Sequence, residues 1–272
     1  MASDPFRIRD HVGDFDAIVA DMKARSEAAR TGLRMEADIA YGAGPAETLD
    51  LFFPAGARAN IPVHVFIHGG YWRMFSKRDY SYVAETVTRA GGIAVVVDYA
   101  LMPAVRMAAI VDQVRRAKRW VIDHIAEHGG NPDRVTVSGH SAGAHLSTFL
   151  FNEMETPSAI RGALLLGGLY ELKPLQSSFL REEIGITDAE VAAFSPATHT
   201  HDRSTAVSIL VGAEETAPFH QQADRFASQL RGQRVAVSRA DLVGSNHMSS
   251  VRDLGIAGSA AARHLAALIE SR

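Results

Sequence analysis

Residues 135–151 read VTVSGHSAGAHLSTFLF and place a serine between two glycines where one hydrophobic pattern gives way to another. The segment just before this turn, 135–137, is a β-branched run that favours a buried strand. After Ser141, apolar residues recur at helical spacing and no proline interrupts them. A strand that turns directly into a helix with a hydroxyl at its apex predicts either a tight structural turn or a nucleophile that the turn presents.

Strand and helix patterns alternate along the chain, which predicts one α/β domain over residues 1–272, with a mostly parallel sheet of about eight strands between helices. The predicted strands cover residues 35–42, 48–54, 63–70, 92–101, 133–139, 162–168, 207–215 and 234–244. The predicted helices cover residues 14–30, 78–90, 108–128, the segment after Ser141, 218–231 and 249–269. The first two strands should pair as an antiparallel hairpin.

Composition excludes several classes of function. With 47% hydrophobic residues the chain can bury a full core, and its formal net charge of −3 lacks the basic footprint of a nucleic-acid binder or a polybasic membrane patch. It contains no cysteine, which excludes disulfides, thiolate catalysis and cysteine-ligated metals. The N-terminal sequence carries charges throughout, unlike a signal peptide, and no run reaches the roughly 18 apolar residues of a membrane span. A cytoplasmic protein without nucleic-acid or membrane partners is expected.

The predicted topology gathers three polar loops at one edge of the sheet. Ligands of mostly parallel sheets bind beyond the carboxyl ends of the strands. The turn at Ser141, the turn His68-Gly69-Gly70 and the loop at 214–215 each follow a predicted strand. We therefore expect a site at this edge.

A serine hydroxyl needs a general base within hydrogen-bond reach. GHSAG at 139–143 fits the G-x-S-x-G pattern, in which glycines permit a strained strand-to-helix turn. The base in that pattern is a histidine beyond the last strand, and LVGSNHMSS at 242–250 supplies His247. His264 is the other late histidine, but it lies mid-helix, where a surface role is favoured. Ser141 and His247 are therefore the predicted nucleophile and base.

The acid that orients the imidazole should lie between them in chain order. LVGAEETAPF at 210–219 follows the penultimate strand and offers Glu214 and Glu215. The alternative is that both are solvated loop carboxylates. Asp202 and Asp241 are weaker candidates for the acid.

An acyl-transfer site also needs hydrogen-bond donors for the developing oxyanion. The amide of Ala142 lies at the start of a helix, where N–H groups are free. HGGYW at 68–72 follows the third strand, and its glycines allow the backbone to approach a substrate closely. The second donor is predicted at Gly70 or Tyr71.

Aromatic residues near this edge belong either to the core or to a pocket for an acyl or aryl group. Those considered are Tyr71, Trp72, Phe75 and Phe219, of which Trp72 and Phe219 are predicted to line the pocket. His140 and His145 flank the nucleophile, and His140 is the predicted pocket residue of the two. HTHD at 199–202 carries three potential metal ligands, but a solvated polar loop explains it better, and no metal site is predicted.

Four segments together resemble the α/β-hydrolase fold, in the branch related to hormone-sensitive lipase and kynurenine formamidase. HGGYW is similar to the oxyanion motif of that branch, with the aromatic residue at 71 typical of arylformamidases. VVDYALMP at 96–103 and GNPDRVTVSGHSAGAHL resemble two further segments of the group. VGAEETAPFHQQADRF is similar to the formamidase acid loop, in which the acid precedes a phenylalanine by four positions, and this favours Glu215. The likeness covers nearly the whole chain from about residue 40.

The resemblance implies a serine hydrolase of small esters, formamides or other amides that uses no metal and no organic cofactor. It implies a helical extension at 1–35 and a short cap-like insertion at 171–205, whose small size suggests an open pocket. Arylformamidase and short-chain carboxylesterase remain open as activities, and a non-catalytic ligand-binding member of the fold is the alternative. Whether the protein is a homodimer is also left open.

Overall fold

The computed structural model describes residues 3–56, 59–152 and 157–271, and within them eight strands form a single sheet. The strands are β1 (Met35–Ala40), β2 (Thr48–Phe52), β3 (Ile61–Ile67), β4 (Ile93–Val97), β5 (Gly130–His140), β6 (Ile160–Leu166), β7 (Ala206–Gly212) and β8 (Val237–Leu242). Their order across the sheet is β1-β2-β4-β3-β5-β6-β7-β8. The β1–β2 and β2–β4 pairs are antiparallel and the others parallel, so the predicted, mostly parallel sheet is confirmed.

Helices connect the strands and cover both faces of the sheet. The α-helices are α1 (Phe15–Gly32), α2 (Ala84–Arg89), α3 (Met107–His124), α4 (Ala142–Thr148), α5 (Leu180–Glu183), α6 (Asp188–Phe194), α7 (Ala217–Gly232), α8 (His247–Arg252) and α9 (Ala260–Glu270). Short 3₁₀ helices cover Ile8–Asp10, Lys77–Val83, Ile125–His128, Lys173–Ser177, Pro196–Thr198 and Asp253–Gly255. Among the helices in the described ranges, none has the length and apolarity needed to cross a bilayer.

The prediction of one continuous helix over 249–269 is wrong. The chain instead forms α8 and α9, separated by a left-handed Gly258 with φ +78°. The hydroxyl of Ser259 then caps α9 by accepting from the amide of Ala262 at 3.0 Å. A glycine in the left-handed region followed by a serine cap stops one helix and begins another.

The central strands are apolar because both of their faces are covered. All five residues of β4 are buried, and in β5 and β6 every residue from Val135 to His140 and from 162 to 166 is buried. These parallel strands point their carboxyl ends the same way. The loops that carry the predicted site residues therefore meet at one edge of the sheet.

A buried ion network ties α1 to the antiparallel side of the sheet. Asp50 of β2 is fully buried, and its carboxylate accepts from Lys77 Nζ at 2.6 Å and from the guanidinium of Arg30 in α1. Lys77 also bonds Asp38 of β1 at 2.6 Å, and this cation lowers the pKa of Asp38. One carboxylate thus holds charges from α1 and from the 3₁₀ helix that begins at residue 77.

Replacing Asp50 by alanine should destabilise the protein by about 3–5 kcal/mol, because it leaves the buried Arg30 guanidinium without its carboxylate and Lys77 with Asp38 as its one carboxylate partner. The measurement is the free energy of unfolding in urea. Asp16→Ala is the matched control, because Asp16 pairs with Arg9 while its side chain is 78% exposed, and an exposed pair contributes less than about 1 kcal/mol. Equal losses in the two variants would contradict a structural role for the buried network.

Candidate active site

The turn after β5 holds Ser141 in a strained backbone conformation. Its φ is 55° and its ψ is −118°, a combination that L-residues rarely adopt, and its side chain stands between the end of β5 and the start of α4. The amide of Ser141 donates to the carbonyl of Leu166 on β6 at 2.8 Å. Strain of this kind persists where the surrounding structure enforces it, which is common at functional sites.

The two glycines around Ser141 are required by close backbone contacts. A Cβ on Gly143 would lie 2.1 Å from the carbonyl oxygen of Ile67 at the end of β3, and one on Gly139 would lie 2.3 Å from the carbonyl oxygen of Gly143. Neither contact can be relieved by moving a flexible side chain, since both involve main-chain atoms. The turn is tight because α4 begins against the end of β3.

A histidine and a glutamate form a buried pair beside this turn. His247 is the first residue of α8, and its Nδ1 lies 2.6 Å from Oε2 of Glu215. The other carboxylate oxygen accepts from the amide of Gly212 at 2.9 Å. An ionised carboxylate only accepts hydrogen bonds, so Nδ1 carries the proton and Nε2 is left as the acceptor. Glu214, in contrast, is exposed, so the structure brings Glu215 and not its neighbour to the histidine.

The alternative acids and the alternative base lie elsewhere. Asp202 is partly buried, which raises its pKa, but it accepts from the hydroxyl of Ser204 and from the amides of Ser158 and Ser204, and these hydrogen bonds together lower its pKa to about 2. Asp241 pairs with Arg239 at 2.8 Å. His264 is exposed on α9.

Gly167 is a residue of this site that sequence analysis missed. It has φ +53°, and a Cβ there would lie 3.0 Å from Oε1 of Glu215 and 3.1 Å from Nδ1 of His247. Its amide donates to the carbonyl of Leu210 at 2.8 Å. The Gly167-Gly168 pair directly after β6 was the available signal, and it marks the space that the acid and the histidine share.

His140 connects the serine turn to the histidine loop. Its Nε2 donates to the carbonyl oxygen of His247 at 3.0 Å, and the two rings lie 4.5 Å apart. Burial holds the pKa of His140 well below its ordinary value, so the imidazole is neutral. The predicted pocket residue therefore also supports the backbone that carries His247.

The loop after β3 has three consecutive residues with positive φ. Gly70, Tyr71 and Trp72 have φ of 109°, 55° and 59°. A Cβ on Gly70 would lie 2.2 Å from the carbonyl oxygen of Met74, which only glycine tolerates. The Gly70 carbonyl accepts from the amides of Arg73 and Met74, which folds the loop back on itself.

Ser141 and His247 face a narrow, partly open cavity with about 20 Å³ of free volume, which has room for about one water molecule. The lining residues are Ile8, Phe15, Gly70, Tyr71, Met74, Phe75, Tyr80, His140, Ser141, His247 and Met248. Among the described residues, the Ser141 hydroxyl makes no hydrogen bond with His247, whose ring is bonded through Nδ1 to Glu215. Hydrogen bonds between catalytic groups are often loose before substrate binds.

Two predicted pocket residues lie outside this cavity. The Trp72 indole is fully buried, and its Nε1 donates to Nδ1 of His145 at 3.2 Å. Burial lowers the pKa of His145 to about 4, which keeps that nitrogen an acceptor. Phe219 packs against the His247 ring, with ring centroids 4.7 Å apart. Both aromatic side chains therefore pack against buried residues outside the cavity, Trp72 against His145 and Phe219 against His247.

The cavity wall includes one residue before α1 and the first residue of α1, neither of which sequence analysis assigned to the site. Ile8 and Phe15 line it, whereas no lining residue comes from the segment 171–205 that was expected to form a cap. The apolar residues Phe6, Ile8 and Val12 among the N-terminal charges were the available signal. The residues predicted as a helical extension at 1–35 contain a 3₁₀ turn and loop before α1 begins, with residues 1–2 outside the described ranges.

The HTHD segment makes separate contacts. His201 is buried near Gln233, Asp202 caps the amide of Ser158, and His199 lies near the carbonyl of Ala193. Across residues 3–56, 59–152 and 157–271, no group of three or more histidine, cysteine, aspartate or glutamate side chains is arranged to hold a metal ion.

The chain is similar to known α/β hydrolases in both sequence and structure. The model of a family described as alpha/beta hydrolase fold matches residues 64–250. A kynurenine formamidase of Danio rerio is 28% identical over 247 residues, which cover 88% of this chain and 83% of that protein. Esterase LipQ of Mycobacterium tuberculosis is 29% identical over 77% of this chain and 56% of its own length. A crystallised candidate thioesterase from Silicibacter sp. TM1040 superposes with a TM-score of 0.86 at 25% identity and covers 99% of this chain and 98% of that one.

Replacing Gly143 by alanine should lower the thermal unfolding midpoint by several degrees or prevent folding, because the new methyl group would overlap the end of β3. Gly232→Ala is the matched control. Gly232 ends α7 and has no atom within 4 Å of a built Cβ, so alanine should leave stability unchanged or raise it slightly. A Gly143→Ala protein as stable as wild type would contradict the steric argument.

Proposed function

The chain belongs to the α/β-hydrolase fold family, and on that premise we propose that it is a serine hydrolase of small formamide or ester substrates. The observation that carries the proposal is the buried contact of 2.6 Å between His247 Nδ1 and Glu215 Oε2, beside a cavity that Ser141 also faces. A nucleophile, a base and a group that orients the base are the parts that acyl transfer through an enzyme-bound ester requires.

In the proposed mechanism, the Ser141 hydroxyl attacks the substrate carbonyl while His247 Nε2 accepts the hydroxyl proton. The Glu215 carboxylate stabilises the imidazolium that forms. The hydrogen bond between Ser141 and His247 has to form when substrate binds. His247 then returns the proton to the leaving amine or alcohol, which departs and leaves the acyl group on Ser141.

Water completes the reaction in a second half. His247 removes a proton from the water as it attacks the acyl-enzyme, and then gives that proton back to the Ser141 oxygen, which releases the carboxylic acid. In both halves the oxyanion would accept from the amide of Ala142 and from that of Gly70 or Tyr71. The N-terminal amides of a helix have no intrahelical partner, and the loop residues line the cavity beside Ser141.

Two features support a formamide as the preferred substrate. The Danio rerio relative, whose alignment covers 88% of this chain, is a kynurenine formamidase. The free space beside Ser141 is narrow, about 20 Å³, which favours a very small acyl group such as formyl over a longer one. A short-chain carboxylesterase is the second candidate, supported by the 29% identity to esterase LipQ.

The proposal is tested by covalent labelling and by rates. A fluorophosphonate probe should label the wild-type protein and not Ser141→Ala, because only an activated serine reacts with it. N-formylkynurenine is then compared with p-nitrophenyl acetate and p-nitrophenyl butyrate. A higher kcat/KM for the formamide supports the formamidase, and activity on the esters alone supports the second candidate. Equal hydrolysis by wild type and Ser141→Ala would overturn the nucleophile assignment.

Glu215→Gln should lower kcat by roughly 10²–10⁴-fold, since an amide cannot stabilise the imidazolium and its NH₂ group disfavours the required tautomer. Glu214→Gln removes the same charge one residue earlier, on an exposed side chain, and should retain wild-type kcat within about twofold. The measurement is kcat on the better substrate, with protein stability checked by thermal unfolding. If the two variants are equally active, Glu215 is not the acid.

A further inference from the structure

Residues before α1 and the first residue of α1 line the cavity that Ser141 faces. We define residues 3–15 as the N-terminal strap. Phe6, Ile8, Val12 and Phe15 are its buried apolar residues, and the charged residues between them point to solvent. Ile8 and Phe15 line the cavity directly, opposite the residues of the loop after β3.

The strap is held by the side chain of Tyr71, a residue of that same loop. The Tyr71 hydroxyl donates to the carbonyl of Phe6 at 2.9 Å and accepts from the amide of Ile8 at 3.0 Å. One hydroxyl therefore satisfies backbone groups on both sides of residue 7. Burial raises the pKa of Tyr71, so the hydroxyl stays protonated and remains a donor. This is a use for the aromatic residue in HGGYW that is separate from its backbone amide.

Further contacts join the strap to the region around the histidine and glutamate pair. Thr216, which follows Glu215, donates from its hydroxyl to the carbonyl of Pro5 at 2.7 Å. The ring of Phe6 packs edge-on against Phe219 at 6.1 Å, and Phe219 in turn packs on His247. The strap thus contacts both the loop after β3, through Tyr71, and the region that follows Glu215, through Thr216 and Phe219.

The segment 171–205 packs against the strap through Phe179. The Asp4 carboxylate accepts from the amide of Phe179 at 2.6 Å, and the guanidinium of Arg7 lies 4.5 Å from the Phe179 ring. That ring also meets Tyr71 edge-on at 5.2 Å. The segment expected to cap the pocket therefore contacts the strap and Tyr71, while the strap itself reaches the cavity.

We propose that Ile8 and Phe15 determine specificity by limiting the size of the substrate group that binds beside Ser141, and that the Tyr71 hydroxyl is the latch that holds them there. The inference rests on the proposed function for what the site does. It follows from the position of both side chains in the wall of the narrow, partly open cavity that Ser141 also lines. Truncating either wall residue enlarges the cavity without touching the reacting groups.

The size limit is tested with Ile8→Ala and Phe15→Ala. Two substrate series are used: p-nitrophenyl esters from acetate to hexanoate at a constant leaving group, and acetate esters of phenol and of naphthol at a constant acyl group. For each variant, at least one of the two series should respond. In that series, the ratio of kcat/KM for the larger substrate to kcat/KM for the smaller one should be about tenfold or more above the wild-type ratio, because a methylene in an apolar pocket is worth about that factor. Val12→Ala is the matched control, because Val12 is a buried strap residue outside the cavity lining. Wild-type ratios in both series would overturn the assignment.

The latch is tested with Tyr71→Phe, which keeps the ring and the backbone amide. Hydrogen–deuterium exchange of strap peptides should be faster in this variant, because the amide of Ile8 loses its partner across the cavity. Tyr82→Phe is the control for the loss of a buried tyrosine hydrogen bond, since Tyr82 donates to the carbonyl of Val251 away from the strap. Unchanged exchange in Tyr71→Phe would overturn the latch.

The exchange measurement needs no catalytic activity, which separates the two ideas. If wild-type protein hydrolyses none of the esters or formamides and resists the fluorophosphonate, the proposed function fails and the size limit fails with it, while exchange still decides whether Tyr71 holds the strap. If wild type is active and exchange rises in Tyr71→Phe but the ratios do not move in the wall variants, the strap is structural only and the specificity assignment is wrong.

Discussion

The contact between the start of α4 and the end of β3 is the constraint on which the site depends. With no side chain on Gly143, the helix approaches until a Cβ there would be 2.1 Å from the Ile67 carbonyl oxygen. This approach sets the position of Ser141 relative to the loop after β3, which continues directly from Ile67. The loop after β3 and the turn at Ser141 are therefore positioned by one backbone contact. A larger residue at 143 would move both together.

The site also depends on protein hydrogen bonds that hold the polar side chains of His247 and Glu215 in a buried position. His247 and Glu215 have side-chain exposures of 5% and 0%, and the carboxylate has its remaining oxygen on the amide of Gly212. A buried carboxylate is tolerated when it is paired and hydrogen-bonded. Gly167 leaves the space for the pair, and His140 holds the backbone of His247. Four loops thus hold the His247–Glu215 pair in a fixed geometry.

The sheet was predictable from the sequence because it depends on local patterns, and the same kind of pattern, a strand, a glycine-flanked turn and a helix in fixed chain order, selected Ser141 and His247 as predicted site residues. Glu215 could be separated from Glu214 only through resemblance, because the choice depends on the turn that bonds its carboxylate to Gly212. Trp72 and Phe219 were predicted to line the pocket, but neither lines the cavity that Ser141 faces, for a different reason.

Trp72 and Phe219 have buried partners far along the chain, His145 and His247, which no local pattern reveals. The same limit explains why the N-terminal strap was missed, since Tyr71 lies 63 residues from Ile8. Positions whose environment is set by neighbours in sequence are predictable from one chain, and positions set by distant contacts are not. The break between α8 and α9 falls between these cases, because Gly258 and Ser259 were visible but their left-handed and capping geometry was not.

The strap also has an energetic consequence for substrate choice. On the proposed role of the strap, a group too large for the space beside Ile8 and Phe15 displaces the strap. That movement breaks the two hydrogen bonds of the Tyr71 hydroxyl, each worth about 1 kcal/mol. It also exposes Ile8 and Phe15, which are buried in the closed structure. A larger substrate must offset these costs with its own binding energy, and energy used to open the strap is not available to stabilise the transition state. On this proposal, a substrate whose acyl group fits the cavity meets neither cost, so the strap in its observed position favours small acyl groups through kcat/KM even where a larger group can still enter.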